Sequence, residues 1–100
     1  MAKRITAEKL SHVQRAALRY CARTFETQVG VNACKYGTLS AVKAIADGGT
    51  SVEAQKSARE RCEMRFTGRG LRYVCRTGVR AVADGARQAK YGRPPFLRGR

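Results

Sequence analysis

Cysteine and arginine are the residue types in this chain whose numbers and spacing promise chemistry. Cys21 and Cys34 stand 13 positions apart, and so do Cys62 and Cys75. Three chemistries suit the set. Buried thiols, small and apolar, would let helices approach closely opposite Gly37 and Gly78. Paired oxidation needs an oxidising setting and Cα separations of about 4.4–6.8 Å. A four-thiolate metal or iron–sulfur site has the right ligand count, but Cys-x2-Cys knuckles are absent, so neither a metal nor a cofactor is expected. The spacing also specifies partners. Cys21 and Cys34 are symmetric about the 27–28 bond, and Cys62 and Cys75 about the 68–69 bond. Residues equidistant from the turn of an antiparallel helical pair share a level. Cys21 should therefore face Cys34, and Cys62 face Cys75, as thiols or as disulfides. Pairing Cys21 with Cys62 and Cys34 with Cys75 is the alternative if equivalent helices meet at that layer.

The arginines form stripes. There are 21 Lys and Arg against seven acids, a net charge of +14. Ten of the basic residues, but only Asp84 of the acids, fall in residues 64–100. Arg outnumbers Lys 15 to six. A guanidinium grips phosphate at two points, which an ammonium does not. Arg69, Arg72, Arg76, Arg80, Arg87, Lys90 and Arg93 are the candidate contacts to nucleic acid, with Arg15, Arg19 and Arg23 as a second patch. An ordinary solvated helix face mixes signs at i,i+4, whereas no acid occurs between Glu63 and Asp84. Tyr73, Tyr91 and Phe96 lie among these charges and could stack on unpaired bases.

The elements that carry these residues occur twice. The pattern Ala17, Cys21, Phe25, Cys34, Lys35, Gly37 returns 41 positions later as Ala58, Cys62, Phe66, Cys75, Arg76, Gly78. After a four-residue gap, VKAIADG (42–48) returns as VRAVADG (79–85). Four residues make about one helical turn, so the gap is expected to shorten a helix and keep its face. The repeated unit (17–48 and 58–85) reads as a helical pair used twice. Thr6 caps a first helix whose apolar stripe is Leu10, Val13, Ala17, Cys21 and Phe25. A turn comes next at 27–30, then a second helix over about 31–47, with Cys34, Ala41, Val42 and Ile45 inward and Gly48 as its stop. Thr50-Ser51-Val52-Glu53 is a capping box that starts a third helix, which Gly68 and Gly70 break. The fourth places Leu71, Cys75, Val79 and Val82 inward. Asp84-Gly85 is expected to end it, unless ARQAK prolongs it or opens a short fifth helix. Strand signals are nearly absent. The expected fold is all-α: a four-helix antiparallel bundle of two repeated hairpins, residues 1–91, with a basic Pro-containing tail, 92–100, that Pro94-Pro95 keeps from being helical.

These observations also exclude. His12 is the only histidine and has no carboxylate or cysteine beside it in sequence. No catalytic triad, zinc-protease or phosphate-loop motif occurs, and Asp47 and Asp84 read as turn residues before glycine, so no enzyme is expected. No segment approaches the roughly 20 apolar residues of a membrane span, and residues 1–10 lack a signal core. A cytoplasmic location and reduced thiols are expected. The leading expectation is a small, basic, non-enzymatic protein that binds nucleic acid, RNA or DNA, through its phosphates. An interaction module docking on an acidic protein, or a structural subunit of a larger assembly, is the alternative.

Overall fold

A computed structural model describes residues 5–91 of the chain. They form four α-helices: α1 (Ala7–Thr24), α2 (Gln28–Ala46), α3 (Ser51–Arg65) and α4 (Arg69–Tyr91). No strand occurs among the described residues. The basic tail, with Arg93 and Phe96, lies outside them.

Three threonines start three helices. The Thr6 hydroxyl accepts from the Lys9 N–H at 3.1 Å, and the Thr27 hydroxyl from the Gly30 N–H at 3.0 Å. Thr50 and Glu53 form a reciprocal capping box, with bonds of 2.9 and 3.1 Å. Each satisfies amide groups that a helix start leaves without a partner. The Thr27 cap starts α2 three residues ahead of the position the sequence pattern suggested, and the turn shrinks to residues 25–27. Gly30 stays inside because a Cβ there would crowd Phe25 and the Thr27 hydroxyl.

The Asp-Gly pair plays two roles. After Asp47, Gly48 takes a φ of 104° and its N–H bonds the Ile45 carbonyl, which ends α2. Asp84-Gly85 lies inside α4 and does not end it; ARQAK prolongs the helix, the alternative the sequence leaves open, and α4 runs on to Tyr91. The residues after each pair make the difference. Gly48 is succeeded by Gly49 and the Thr50 cap, Gly85 by Ala-Arg-Gln-Ala-Lys, which favours helix. Gly85 answers to packing instead, since a Cβ there would press on Val13 of α1. The expected shortening is corrected. At 23 residues α4 is longer than α2 at 19, although the one-turn shift keeps the face, with Ile45 and Val82 both buried.

α2 and α4 make the most extensive helix contact, and α1 and α3 each touch both. Their meeting point is built from glycine. A Cβ at Gly37 would overlap the carbonyl oxygen of Cys75, and one at Gly78 would overlap that of Cys34. The contact is reciprocal, so the backbones of α2 and α4 touch where each carries a cysteine.

All four cysteines are oxidised: Cys21–Cys34 joins α1 to α2, and Cys62–Cys75 joins α3 to α4, with Cα separations of 5.6 and 5.8 Å. The pairing is the one the turn symmetry predicts. The redox state corrects the expectation of reduced thiols, because sulfurs this close bond wherever the setting allows oxidation. The four cysteines are fully buried. Thr38, buried with them, places its hydroxyl 3.6 Å from the Cys21 sulfur. The remaining core is small-residued, with Ala33, Ala58 and Ala86 inaccessible and Val79 and Val82 the largest fully buried side chains.

Candidate functional site

Tight α2–α4 packing turns the polar faces of α3 and α4 toward a shared surface cleft of about 480 Å³. Its chemistry is that of guanidinium groups. Arg59 of α3 and Arg76, Arg80 and Arg87 of α4 line it, with Gln55, Tyr73 and Thr77 between them. On α4, Tyr73, Arg76, Arg80, Asp84 and Arg87 follow one another at three or four residues, so they make one face of a helix. Arg59 and Arg80 are exposed and have no acidic partner among the described residues. Asp84 is the single acid in the lining, and it holds Arg87 at 3.4 Å.

The sequence-derived arginines separate into distinct jobs. Arg72 is a clasp on the 66–68 turn. Its Nε donates to the Phe66 carbonyl at 2.6 Å, its Nη2 to the Glu63 carbonyl at 3.1 Å, and the Glu63 carboxylate lies 3.5 Å away. Arg76 shares that carboxylate at 3.4 Å but still lines the cleft. The stripe without acids along α4 therefore receives one acid from α3. Arg69 is exposed at the start of α4, and Lys90 is half-buried in its last turn. On α1, Arg15 donates to Ser11 at 3.1 Å and to His12 Nδ1 at 2.8 Å. Arg19 and Arg23 are exposed, and Arg23 borders a separate, mostly apolar groove between α1 and α4 that Val13, Ala17 and Ala89 also line. The α1 patch and the cleft are thus carried by different helices. Of the stacking candidates, Tyr73 lies at the cleft, 61% exposed.

Arg59, Gln55 and Tyr20 escaped the sequence reading. The turn symmetry that pairs Cys62 with Cys75 sets Arg59 level with position 78, between Arg76 and Arg80. The same symmetry sets Glu63 level with position 74, between the two arginines it bridges.

Four guanidinium groups around one cleft suit an anion. Its one carboxylate is paired to Arg87. Disulfide formation consumes every thiol, and no cluster of three or more His, Cys, Asp or Glu able to hold a metal occurs among the described residues. No described helix is long and apolar enough to cross a membrane.

Asp84 limits the cleft's positive potential, which gives a prediction. Asp84→Asn removes a negative charge from the lining and releases Arg87. Affinity for a polyanion such as heparin should rise about two- to five-fold at low salt, the scale of one partly exposed ion pair. Fluorescence anisotropy at low and high salt checks this. An unchanged or weaker affinity would mean that the anion sits elsewhere.

Compared with known proteins, no family model matches the chain, and neither a curated protein nor a solved structure proves similar to it.

Proposed function

We propose that this is a non-enzymatic nucleic-acid-binding protein that grips phosphates through the arginine face of α4, with Arg59 of α3 beside it and the tail 92–100 adding charge. Its frame is two antiparallel helical hairpins, each stapled by its own disulfide and related by an approximate twofold at the Gly37–Gly78 contact. The reading places it in an oxidising setting outside the cytosol, because disulfides persist there and are rare where thiols are kept reduced.

One observation carries the reading: cations from two helices converge on one cleft, and two of them, Arg59 and Arg80, have no acidic partner among the described residues. Unused acids exist. Glu60 neighbours Arg59 in sequence and is exposed, with no ion pair among the described residues. Converging like charges repel in the free protein, and a polyanion relieves that repulsion. A chain with net charge +14 gains further from releasing the counterions condensed on nucleic acid.

The test is the salt dependence of binding. Arg76→Ala, Arg80→Ala and Arg87→Ala are combined, and Arg72 is left alone because it secures a turn. Each lost phosphate contact removes about 0.9 from the slope of log K against log salt on duplex DNA, and about 0.7 on a single strand. The triple variant should flatten the slope by roughly two to three units and keep its helical circular dichroism. A variant that binds like wild type at every salt concentration sinks the assignment. Binding at a fixed protein stoichiometry that survives nuclease would point to an acidic protein as the partner.

A further inference from the structure

The cleft has an aromatic wall as well as cations, and the wall narrows what can enter. Tyr73 stands at its edge, 61% exposed, and makes no ring contact among the described residues; Tyr36 and Phe66 form the one aromatic pair there. Tyr73, Thr77, Arg80 and Asp84 line a second hollow as well, of about 440 Å³, that continues across α4 to Tyr20 of α1. Two adjoining hollows therefore share Tyr73, Thr77, Arg80 and Asp84, and Tyr20 adds a second ring to the far one.

Resting on the function proposed for this cleft, we propose that these hollows are a binding site for single-stranded nucleic acid: Arg59, Arg76 and Arg80 hold phosphates, and Tyr73 stacks on an unpaired base. A duplex offers outward phosphates, while its base faces are already stacked on each other, so a lone tyrosine ring gains nothing from it. A single strand offers both. Alternation of aromatic rings with cations along a groove is how such strands are held without regard to sequence, because every base has a face. The size agrees, as a hollow of this volume suits a small-molecule-sized unit such as one nucleotide. Tyr20, half-buried in the adjoining hollow, is placed to meet the neighbouring base.

The test uses the full chain with its disulfides intact. Three probes are titrated at one salt concentration: a fluorescent oligo(dT), a duplex of the same length, and heparin, which has charge but no bases. Tyr73→Ala should weaken oligo(dT) binding by roughly 5- to 100-fold, the effect of losing one stacked base, with duplex and heparin binding unchanged. Tyr73→Phe should bind oligo(dT) as wild type does, since the ring remains. Arg59→Ala should weaken oligo(dT) binding and flatten its salt slope by about 0.7. If Tyr73→Ala binds oligo(dT) normally, or loses all three probes equally, the stacking site is refuted. If both variants are silent while the triple arginine variant loses affinity, the α4 arginines bind phosphates without Arg59 and without base stacking, and only the single-strand site falls. Absence of binding to either nucleic acid by the wild-type protein overturns site and function together.

Discussion

Removing both disulfides is expected to unfold the protein at room temperature or bring it close to unfolding. Each bridge closes a loop of 13 residues' separation. Cross-linking a loop of this size stabilises by about 3 kcal/mol, mainly by restricting the unfolded chain, so the pair contributes about 6 kcal/mol. A small domain has about 5–15 kcal/mol in total, and this one has reasons to lie low in that range. Its fully buried side chains stop at valine in size, so burial of large apolar groups contributes little. Its charge of +14 opposes compaction. The single-bridge variants Cys21→Ala/Cys34→Ala and Cys62→Ala/Cys75→Ala should each lower the melting temperature by roughly 12–24 °C, taking about 4–8 °C per kcal/mol. Chemical reduction of the wild type should be slow under native conditions, because all four cysteines have no solvent exposure. The reduced form is therefore prepared in denaturant and returned to buffer before melting by circular dichroism. A fully reduced protein melting within a few degrees of the oxidised one would refute this account of the fold.

Sequence and structure agree most where chemistry is local or symmetric. The Thr50–Glu53 capping box is a short-range pattern with its own hydrogen bonds, so it needs no tertiary context. The cysteine pairing was legible because the turn fixes the level of both partners. The redox state was not, since the same geometry serves two thiols or one disulfide and the compartment decides. Of the readings open at Asp84-Gly85, the structure takes the prolonged helix, because Asp-Gly is a stop only when the next residues let the helix end. Here they favour continuation, and the glycine serves Val13 of the neighbouring helix. At the candidate site the stripe on α4 was readable from its period. Its division of labour was not, because the partner that occupies Arg72 and Arg76 is Glu63 on another helix. Arg59 stayed hidden for the complementary reason: it lacks a stripe of its own and reaches the cleft through its level opposite α4.

Gly37→Ala should destabilise the protein, although alanine is the better helix former. Inside a helix, alanine gains about 0.5–1 kcal/mol over glycine. At Gly37 that gain meets the Cys75 backbone of α4, whose carbonyl carbon would stand 2.9 Å from the new Cβ. At Gly78 the carbonyl of Cys34 stands in the same relation, with the Thr38 hydroxyl at 2.9 Å. A carbonyl in a helix cannot rotate aside as a side chain can, so α2 and α4 must separate. Their contact is the most extensive among the described helices, and overpacking of a close interface costs about 1–3 kcal/mol, sometimes more. A net loss of about 2 kcal/mol for each single variant, or roughly 8–16 °C in melting temperature, is expected. Gly70→Ala is the control. It also lies within α4, but a Cβ there meets nothing within 4 Å, so it should stabilise by about 0.5–1 kcal/mol. Opposite signs for one chemical change at two helical positions isolate the close approach from helix propensity. The double variant Gly37→Ala/Gly78→Ala should lose less than the sum of the singles, because helices already forced apart by one Cβ have made room for the other. Strict additivity would show that the two glycines act at independent contacts, and the reciprocal joint between the two disulfide-linked helix pairs would then be wrong.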